Sequence, residues 1–588
     1  RIDFMAVGNL PNQIHKTHMG KLLTKDGYNY AGILFNEIRF PQDIRNCTKC
    51  HDGSAASTAQ TAQGDNWKNV PSRMACGACH DGINFATGKG LTLADSRNGL
   101  TTSAYGHVGG AQSSDANCAL CHTATDIDVY HLPVTPPNPG NALLLGGSNV
   151  NTNAAWIASN TSRLPAGAIK VSYDISSVSL NASKQPVMVF KFLQNGTAIA
   201  FNTYSAIGKT EMWDNFMGSP SAYFVFAVPQ DGITAPADFN ASVSGYLKNI
   251  WNGTATGTGA GNLSGPDASG YYTVTLTGVT VPDGAVMFTG GLGYSYNVTS
   301  MQPLTQTNIA NYPTAAATAA GQTNKTGGLI VVSPNVQKVA TGYSGRRVIV
   351  EDARCNKCHQ ELGTFTRDAF HAGQRNDATT CSWCHRPNRT SSGWSADSTS
   401  YVHAIHAGAK RVTPFTWHAA STTDGFWKIG YPGILKDCET CHMAGTYDYS
   451  AAASASALPN RLYRTVGAGI YNNTAGVVTS GGTAVQSELG AFSISPYVAA
   501  DNVTSYGQDF TFNAATGVST PAAGTTLVSS PMATACVSCH DSVLAQSHMK
   551  SNGGSLYAPR AAALANLEQC ALCHLAGKVA DIRAMHAR

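Results

Sequence analysis

No run of 18 apolar residues occurs in this 588-residue chain, so no segment reads as a membrane-crossing helix. Charge is sparse as well: 12% of residues are Asp, Glu, Lys or Arg, and a net +4 gives nucleic acid no basic surface to bind. No signal peptide and no lipid-attachment cysteine are seen. Histidine is missing from Leu132 to Cys358, and the only cysteines in that interval are Cys355 and Cys358. Finally, none of the sixteen cysteines stands alone.

What is there is a repeated motif. The cysteines form eight Cys-x-x-Cys pairs, each followed at once by histidine. They are Cys47/Cys50/His51, Cys76/Cys79/His80, Cys118/Cys121/His122, Cys355/Cys358/His359, Cys381/Cys384/His385, Cys438/Cys441/His442, Cys536/Cys539/His540 and Cys570/Cys573/His574. With histidine at 18 of 588 positions, eight such coincidences have a chance probability on the order of 10⁻¹². C-x-x-C-H is the attachment signature of haem c: the thiols add across the vinyl groups and the histidine becomes the proximal iron ligand. Zinc would need two half-sites converging and no adjacent histidine. A thioredoxin-like motif would occur once, and a disulfide framework leaves the histidines unexplained. The expected cofactors are therefore eight covalently attached haem c groups. Eight ferric haems with ionised propionates would take the net charge to about −4. Because haem c is attached outside the cytoplasm, an export signal is expected to have preceded Arg1.

Residue usage divides the chain into a trihaem region at 1–139, a haem-free region at 140–345 and a pentahaem region at 346–588. The middle region carries AIKVSYDISSVSL, QPVMVFKFL, SAYFVFAV, YYTVTLTGVTV and GGLIVVS, short Val/Thr/Tyr/Phe-rich runs between Gly, Asn, Pro and Asp breaks. That pattern predicts an all-β domain, a sandwich or Greek-key barrel. The fold class is then multidomain, with loop-rich, short-helix haem domains flanking the β-domain. Residues at about 443–535 lack His and Cys and read as an insertion of loops and short strands.

The two haem regions repeat one another. IHKTHMG at 14–20 matches VHAIHAG at 402–408, NCTKCH matches DCETCH, MACGACHDG matches TACVSCHDS, and NCALCH matches QCALCH. The repeat pairs His15 with His403, His18 with His406, His107 with His548 and His131 with His586. Together with His371, which lies between the two unmatched motifs, these nine are the candidate distal iron ligands. His418 has no counterpart and reads as a surplus surface or structural residue. Four candidates serve three haems in the first region, so His15 or His18 lacks a haem there or ligates one of a neighbouring subunit. Bis-histidine ligation leaves iron no open position, which argues against a dedicated catalytic haem such as a nitrite or hydroxylamine enzyme needs.

The H-x-x-H-x-G stretches, NCTKCHD, CGACHDG, the closing CALCH motifs and the intervening β-domain resemble the outer-membrane decahaem cytochromes of the OmcA/MtrC type. That family alternates β and pentahaem domains. The resemblance implies the last three haems of a first pentahaem domain, then a β-domain, then a complete second pentahaem domain. A leading β-domain, two haems and the lipid anchor are missing from it, as is the β-domain cysteine pair of some members. It implies an extracellular protein at the bacterial outer-membrane surface. Electrons would come from other cytochromes or a membrane conduit and pass to metal oxides, flavins or cytochromes by outer-sphere transfer. The alternative is a subunit of a polymerised, conductive cytochrome filament.

Overall fold

The computed structural model describes residues 8–131, 169–295, 330–359, 377–472 and 478–586, with short breaks at 42–43, 46, 55–59, 102, 104, 210, 214–218, 333–334, 420, 481–482 and 486–489. The chain divides into two compact units, 1–135 and 136–588.

The first unit is built of short helices and turns. Its helix Leu10–Met19 has Pro11 in the first turn, where a missing N–H costs nothing, and ends at Gly20 with φ 51°. Helix Arg73–Cys79 is capped by Ser72, whose hydroxyl accepts from Ala75 N at 3.2 Å. The apolar core is small: Leu23, Tyr28 and Phe35 are buried against Met19 and Ile38. A region with so little apolar packing of its own depends on other material to fill it.

The second unit opens with two β-sheets. In chain order the strands are β1 (Ile169–Leu180), β2 (Pro186–Gln194), β3 (Thr197–Ala198), β4 (Ser219–Ala227), β5 (Ala241–Tyr246), β6 (Asn262–Ser264), β7 (Tyr272–Thr275), β8 (Val286–Ser295), β9 (Ile330–Val332) and β10 (Val336–Val339). One sheet runs β6–β7–β2–β1–β9 with β3 beside β2, and the other runs β10–β8–β4–β5. Met188, Phe190 and Phe192 of the first sheet meet Phe224, Phe226 and Phe288 of the second in a single core. Of the two expected β architectures the described strands form the sandwich. Strand β2 alternates buried and half-buried positions, whereas every residue of β4 is buried. The reason is that β4 is covered on both faces. Phe224 and Phe226 point into the sandwich, while Tyr223 and Val225 face outward onto Phe239 and Trp383. That double cover is why SAYFVFAV reads as a continuous apolar run.

The remainder of this unit returns to short helices. Ser398–His406 is capped by the Asp397 carboxylate, which accepts from the amide of Thr399 at 2.9 Å and the hydroxyl of Ser395 at 2.6 Å. Within 443–535 the described residues form a helix, Ala452–Ala457, and four short antiparallel strand pairs. The pair Arg464–Gly467 with Leu527–Ser529 brings the two ends of this stretch together.

Candidate haem centres

Each C-x-x-C-H motif folds as one helical turn. The histidine amide reaches back to the first cysteine carbonyl at 2.7–2.9 Å in seven motifs, and the eighth closes the helix Asp352–His359. Positions i, i+3 and i+4 share a helical face, so both thiols and the imidazole point one way. No disulfide links any of the sixteen cysteines among the described residues. Burial pushes the thiols of Cys355 and Cys381 up to about 12, and those of Cys79, Cys539 and Cys570 up to about 11. Among the described residues no cluster of three His, Cys, Asp or Glu side chains is placed to hold a metal ion.

The sequence treats all sixteen cysteines as equivalent anchors, and the structure covers them unequally. Cys50, Cys121 and Cys573, each the second cysteine of its motif, are exposed, as are Cys384, Cys76 and Cys536. The other ten are partly covered. The physical reason lies in the size of the unit. A single helical turn has only its own few residues to shelter two sulfurs, and in Cys47–Lys49, Cys118–Cys121 and Ala571–His574 no residue of the turn is buried. Exposure of Cys50, Cys121 and Cys573 separates them from an inert core thiol, and keeps the sulfur reachable for addition to a vinyl group. Their assignment as thioether positions rests on the motif, not on an enclosed setting.

Seven of the eight proximal histidines face a second imidazole. Ring centres lie 5.9 Å apart for His15 and His51, 6.2 Å for His80 and His131, and 6.1 Å for His107 and His122. In the second unit the separations are 6.1 Å for His359 and His406, 5.8 Å for His403 and His442, 6.0 Å for His540 and His586, and 6.1 Å for His548 and His574. An iron between two imidazoles sets ring centres about 6 Å apart, from a bond of about 2 Å and about 1 Å more to the ring centre on each side. The donor set therefore fits haem iron at seven positions.

Hydrogen bonds fix which ring nitrogen faces the gap. In His18, His131, His406 and His586 the Nδ1 lies 2.7–2.8 Å from the carbonyl four residues back, and His107 Nδ1 lies 2.8 Å from Gly110 O. A carbonyl can only accept, so Nδ1 carries the proton and the Nε2 lone pair is left for a metal. Burial, and then the facing imidazole, lowers the pKa of His15, His80 and His540. Burial and His403 bring His442 down to about 3; burial and His406 bring His403 down to about 4. These rings are held neutral, the form that ligates.

The H-x-x-H-x-G pattern gains a structural reason here. The helix bearing His15 and His18 ends against the turn Phe35–Glu37, and that bearing His403 and His406 against the turn Phe426–Lys428. A Cβ on Gly20 would lie 2.0 Å from Ile38 O, and one on Gly408 would lie 2.1 Å from Phe426 O. No larger residue allows that approach.

Four histidines remain outside these pairs. His18 has the same Nδ1 bond as its counterpart His406, but its ring meets the edge of Phe40 at 5.1 Å. His371 lies outside the described residues. His418, read from the sequence as surplus, is exposed at φ 51° beside Trp417, and its charge reaches His385. His385 itself donates Nδ1–H to Ala396 O at 2.8 Å and packs on Tyr401 at 4.5 Å. Sequence reasoning also passed over Trp383, inside the motif Cys381–Cys384. Its ring is 2% exposed and fills the space above Gly291 in β8, where a Cβ would lie 2.1 Å away. Gln337 and Asn335 add hydrogen bonds to Thr379 and Thr380, at 2.8 and 3.2 Å. The β-sandwich thus holds this one motif directly.

Repeated thioether-ready turns facing neutral imidazole pairs define a multihaem c-type cytochrome. The chain belongs to the MtrC/MtrF-like outer membrane cytochromes: the model of that family's domains II/IV matches residues 6–132 and 347–587. It is thus a multihaem electron-transfer protein of the outer-membrane, extracellular type. Among solved structures, MtrC from Shewanella baltica OS185 is similar, with a TM-score of 0.48 and 15% identity over 97% of this chain and 68% of that one. No curated protein matches.

Proposed function

We propose that this chain carries eight haem c groups, one per motif, and conducts electrons along them to acceptors outside the cell. The seven imidazole pairs at 5.8–6.2 Å support this reading most directly. Haem c supplies reversible one-electron transfer between ferric and ferrous iron. The cysteines would anchor it, and the paired histidines would hold its iron from both sides. With iron held between two imidazoles, metal oxides, flavins or partner cytochromes would take electrons by outer-sphere transfer. The donor is another cytochrome or an outer-membrane conduit. Intact mass and low-temperature EPR of the purified protein test the reading. Eight haems, all low-spin, and rapid reoxidation by soluble ferric chelate are expected; a lower haem count or abundant high-spin iron would overturn it.

His18 favours a second reading, the filament. Its repeat position and Nδ1 bond match those of His406, yet no proximal histidine of the described residues faces it. A neighbouring copy that supplied a haem to His18 would chain subunits head to tail. Electron micrographs of wild-type protein and of His18→Ala decide this: filaments lost in the variant support it, and discrete particles in both remove it.

A further inference from the structure

Between the β-sandwich and the His403–His442 pair lies a buried group of arginines. Asp238 Oδ2 accepts from Arg464 Nη2 at 2.8 Å, and its Oδ1 accepts from Arg346 and Arg347, each at 3.2 Å. Arg464 Nε lies 3.4 Å from Asp397, whose oxygens already cap the His403 helix. Arg461, 7% exposed, also acts on Asp238, but the hydrogen bond of its guanidinium runs from Nη1 to Tyr449 OH at 2.5 Å. Glu568 reaches Arg461 electrostatically, while its carboxylate is engaged by Ser530 and the amides of Met532 and Ala533.

Four guanidiniums thus meet two carboxylates, with a third committed elsewhere. At least one positive charge is left without a counter-ion in a place shielded from water, an arrangement proteins avoid. The donors say the same: Nε of Arg461, Arg464 and Arg346 are each buried without a hydrogen-bond partner. Arg461 is placed to say what is missing. Its charge acts on both His403 and His442, the two imidazoles of one iron position, and reaches the Cys536 thiol as well. A haem held there would bring two propionate carboxylates, which supply both the negative charge and the acceptor that the buried Nε of Arg461 lacks.

We propose that Arg461 binds a propionate carboxylate of the haem attached at Cys438 and Cys441, through its buried Nε, and by that ion pair raises the reduction potential of this haem. The proposal rests on the haem assignment above. A guanidinium matches a carboxylate in shape and stays charged when buried, and a fixed positive charge beside the ring favours the ferrous state.

The test is a spectroelectrochemical titration of the haem-loaded full chain against Arg461→Gln and Arg461→Lys. In the glutamine variant one haem in eight should become harder to reduce by at least tenfold in its equilibrium, about 59 mV for one electron; lysine should restore most of it. A titration of R461Q that superimposes on wild type, with eight haems present by mass, overturns the proposal. Should R461Q fail to fold, an experimental structure of the loaded wild-type protein decides. A propionate oxygen within hydrogen-bond distance of Arg461 Nε supports it, and an Nε facing any other group sinks it. A haem count other than eight in wild type would break the assignment beneath, which the mass reports separately.

Discussion

The first unit and the pentahaem region build the same clamp from different residues. In both, the aspartate that follows a haem-motif histidine receives two successive amides from the chain just past the H-x-x-H-x-G helix. Asp81 accepts from Thr24 and Lys25 at 2.8 and 2.9 Å; Asp541 accepts from Val412 and Thr413 at 2.9 and 2.8 Å. A buried cation then covers two carbonyls inside the C-x-x-C turn. In the first unit this is Lys16, whose Nζ lies 3.3 Å from Gly77 O and 3.4 Å from Ala78 O. In the pentahaem region it is Arg411, bonding Val537 O and Ser538 O at 3.1 and 2.6 Å. Lys16 lies between His15 and His18 of its helix and Arg411 lies five residues beyond His406, so no alignment of the two repeats equates them. The difference teaches that the electrostatic position persists, a positive charge over two carbonyls beside a carboxylate, while the residue that supplies it moves. The C-terminal region has a further hold: the β-sandwich grips one of its haem motifs through Trp383.

The clamp is where the comparison can be broken most sharply. Asp81 is 3% exposed, and its loss strands Lys16 and Tyr28 OH, which donates to it at 3.0 Å. Asp541 is also 3% exposed, with Arg411 Nη2 at 3.5 Å. Removing one partner of a buried charged group costs about 3–5 kcal/mol. Asp81→Ala and Asp541→Ala should each destabilise the protein by that amount in denaturant unfolding. If only one does, the two clamps are not equivalent. Trp383→Ala should cost about 3–5 kcal/mol as well, by emptying a large buried site, and should leave the first unit's three haems untouched in their EPR signals. The glycines come next. Gly20→Ala and Gly408→Ala each force a methyl against a carbonyl, an overpacking of about 1–3 kcal/mol. Gly20→Ala should be the worse of the two, because φ there is also 51°.

Much of this arrangement was legible in the chain. The eight motifs announced themselves by spacing alone, since a helical turn places i, i+3 and i+4 on one face. Spacing did not say which sulfurs would be covered, because the cover of Cys381 or Cys79 comes from distant segments that Cys50, Cys121 and Cys573 do not meet. The internal repeat linked His15 with His403 and His107 with His548, and the structure sets each of these opposite the histidine of a matching motif. Asp81 and Asp541 were visible too, as the aspartates in CGACHDG and CVSCHDS, but nothing local says what an exposed-looking residue after a motif will bind. Lys16 and Arg411 were illegible because their partner carbonyls lie 61 and 126 positions away. The uninterrupted apolar run of β4 marked a strand covered on both sides, yet its outer cover, Trp383, comes far along the chain. Long-range contacts of this kind leave no periodic signal.

The motif at Cys381, which has no counterpart in the first unit, sharpens the comparison through its missing distal ligand. His371 and His418 compete for it. Replacing the true ligand by alanine should turn one haem of eight high-spin, and replacing the other should leave the EPR spectrum unchanged. His418 acts on His385 and is held in a left-handed conformation that histidine seldom adopts, so His418→Ala is the informative variant.

Acid gives the mildest test. Burial first, and then a neighbouring histidine, hold His403 at about 4 and His442 at about 3, where an unburied histidine titrates near 6.5. The sign follows from competition between proton and metal for one lone pair. A depressed pKa weakens the proton's claim and iron binding weakens it further, so falling pH displaces such a ligand only below the depressed value. The low-spin signal of the His403–His442 haem should therefore survive from about pH 7 to about 5 and fade only below about pH 4. It can be followed alone as the signal that a His403→Ala variant lacks. Loss of that signal already near pH 6.5 would show that the pocket admits water to His403, and would separate this site from the enclosed geometry described here.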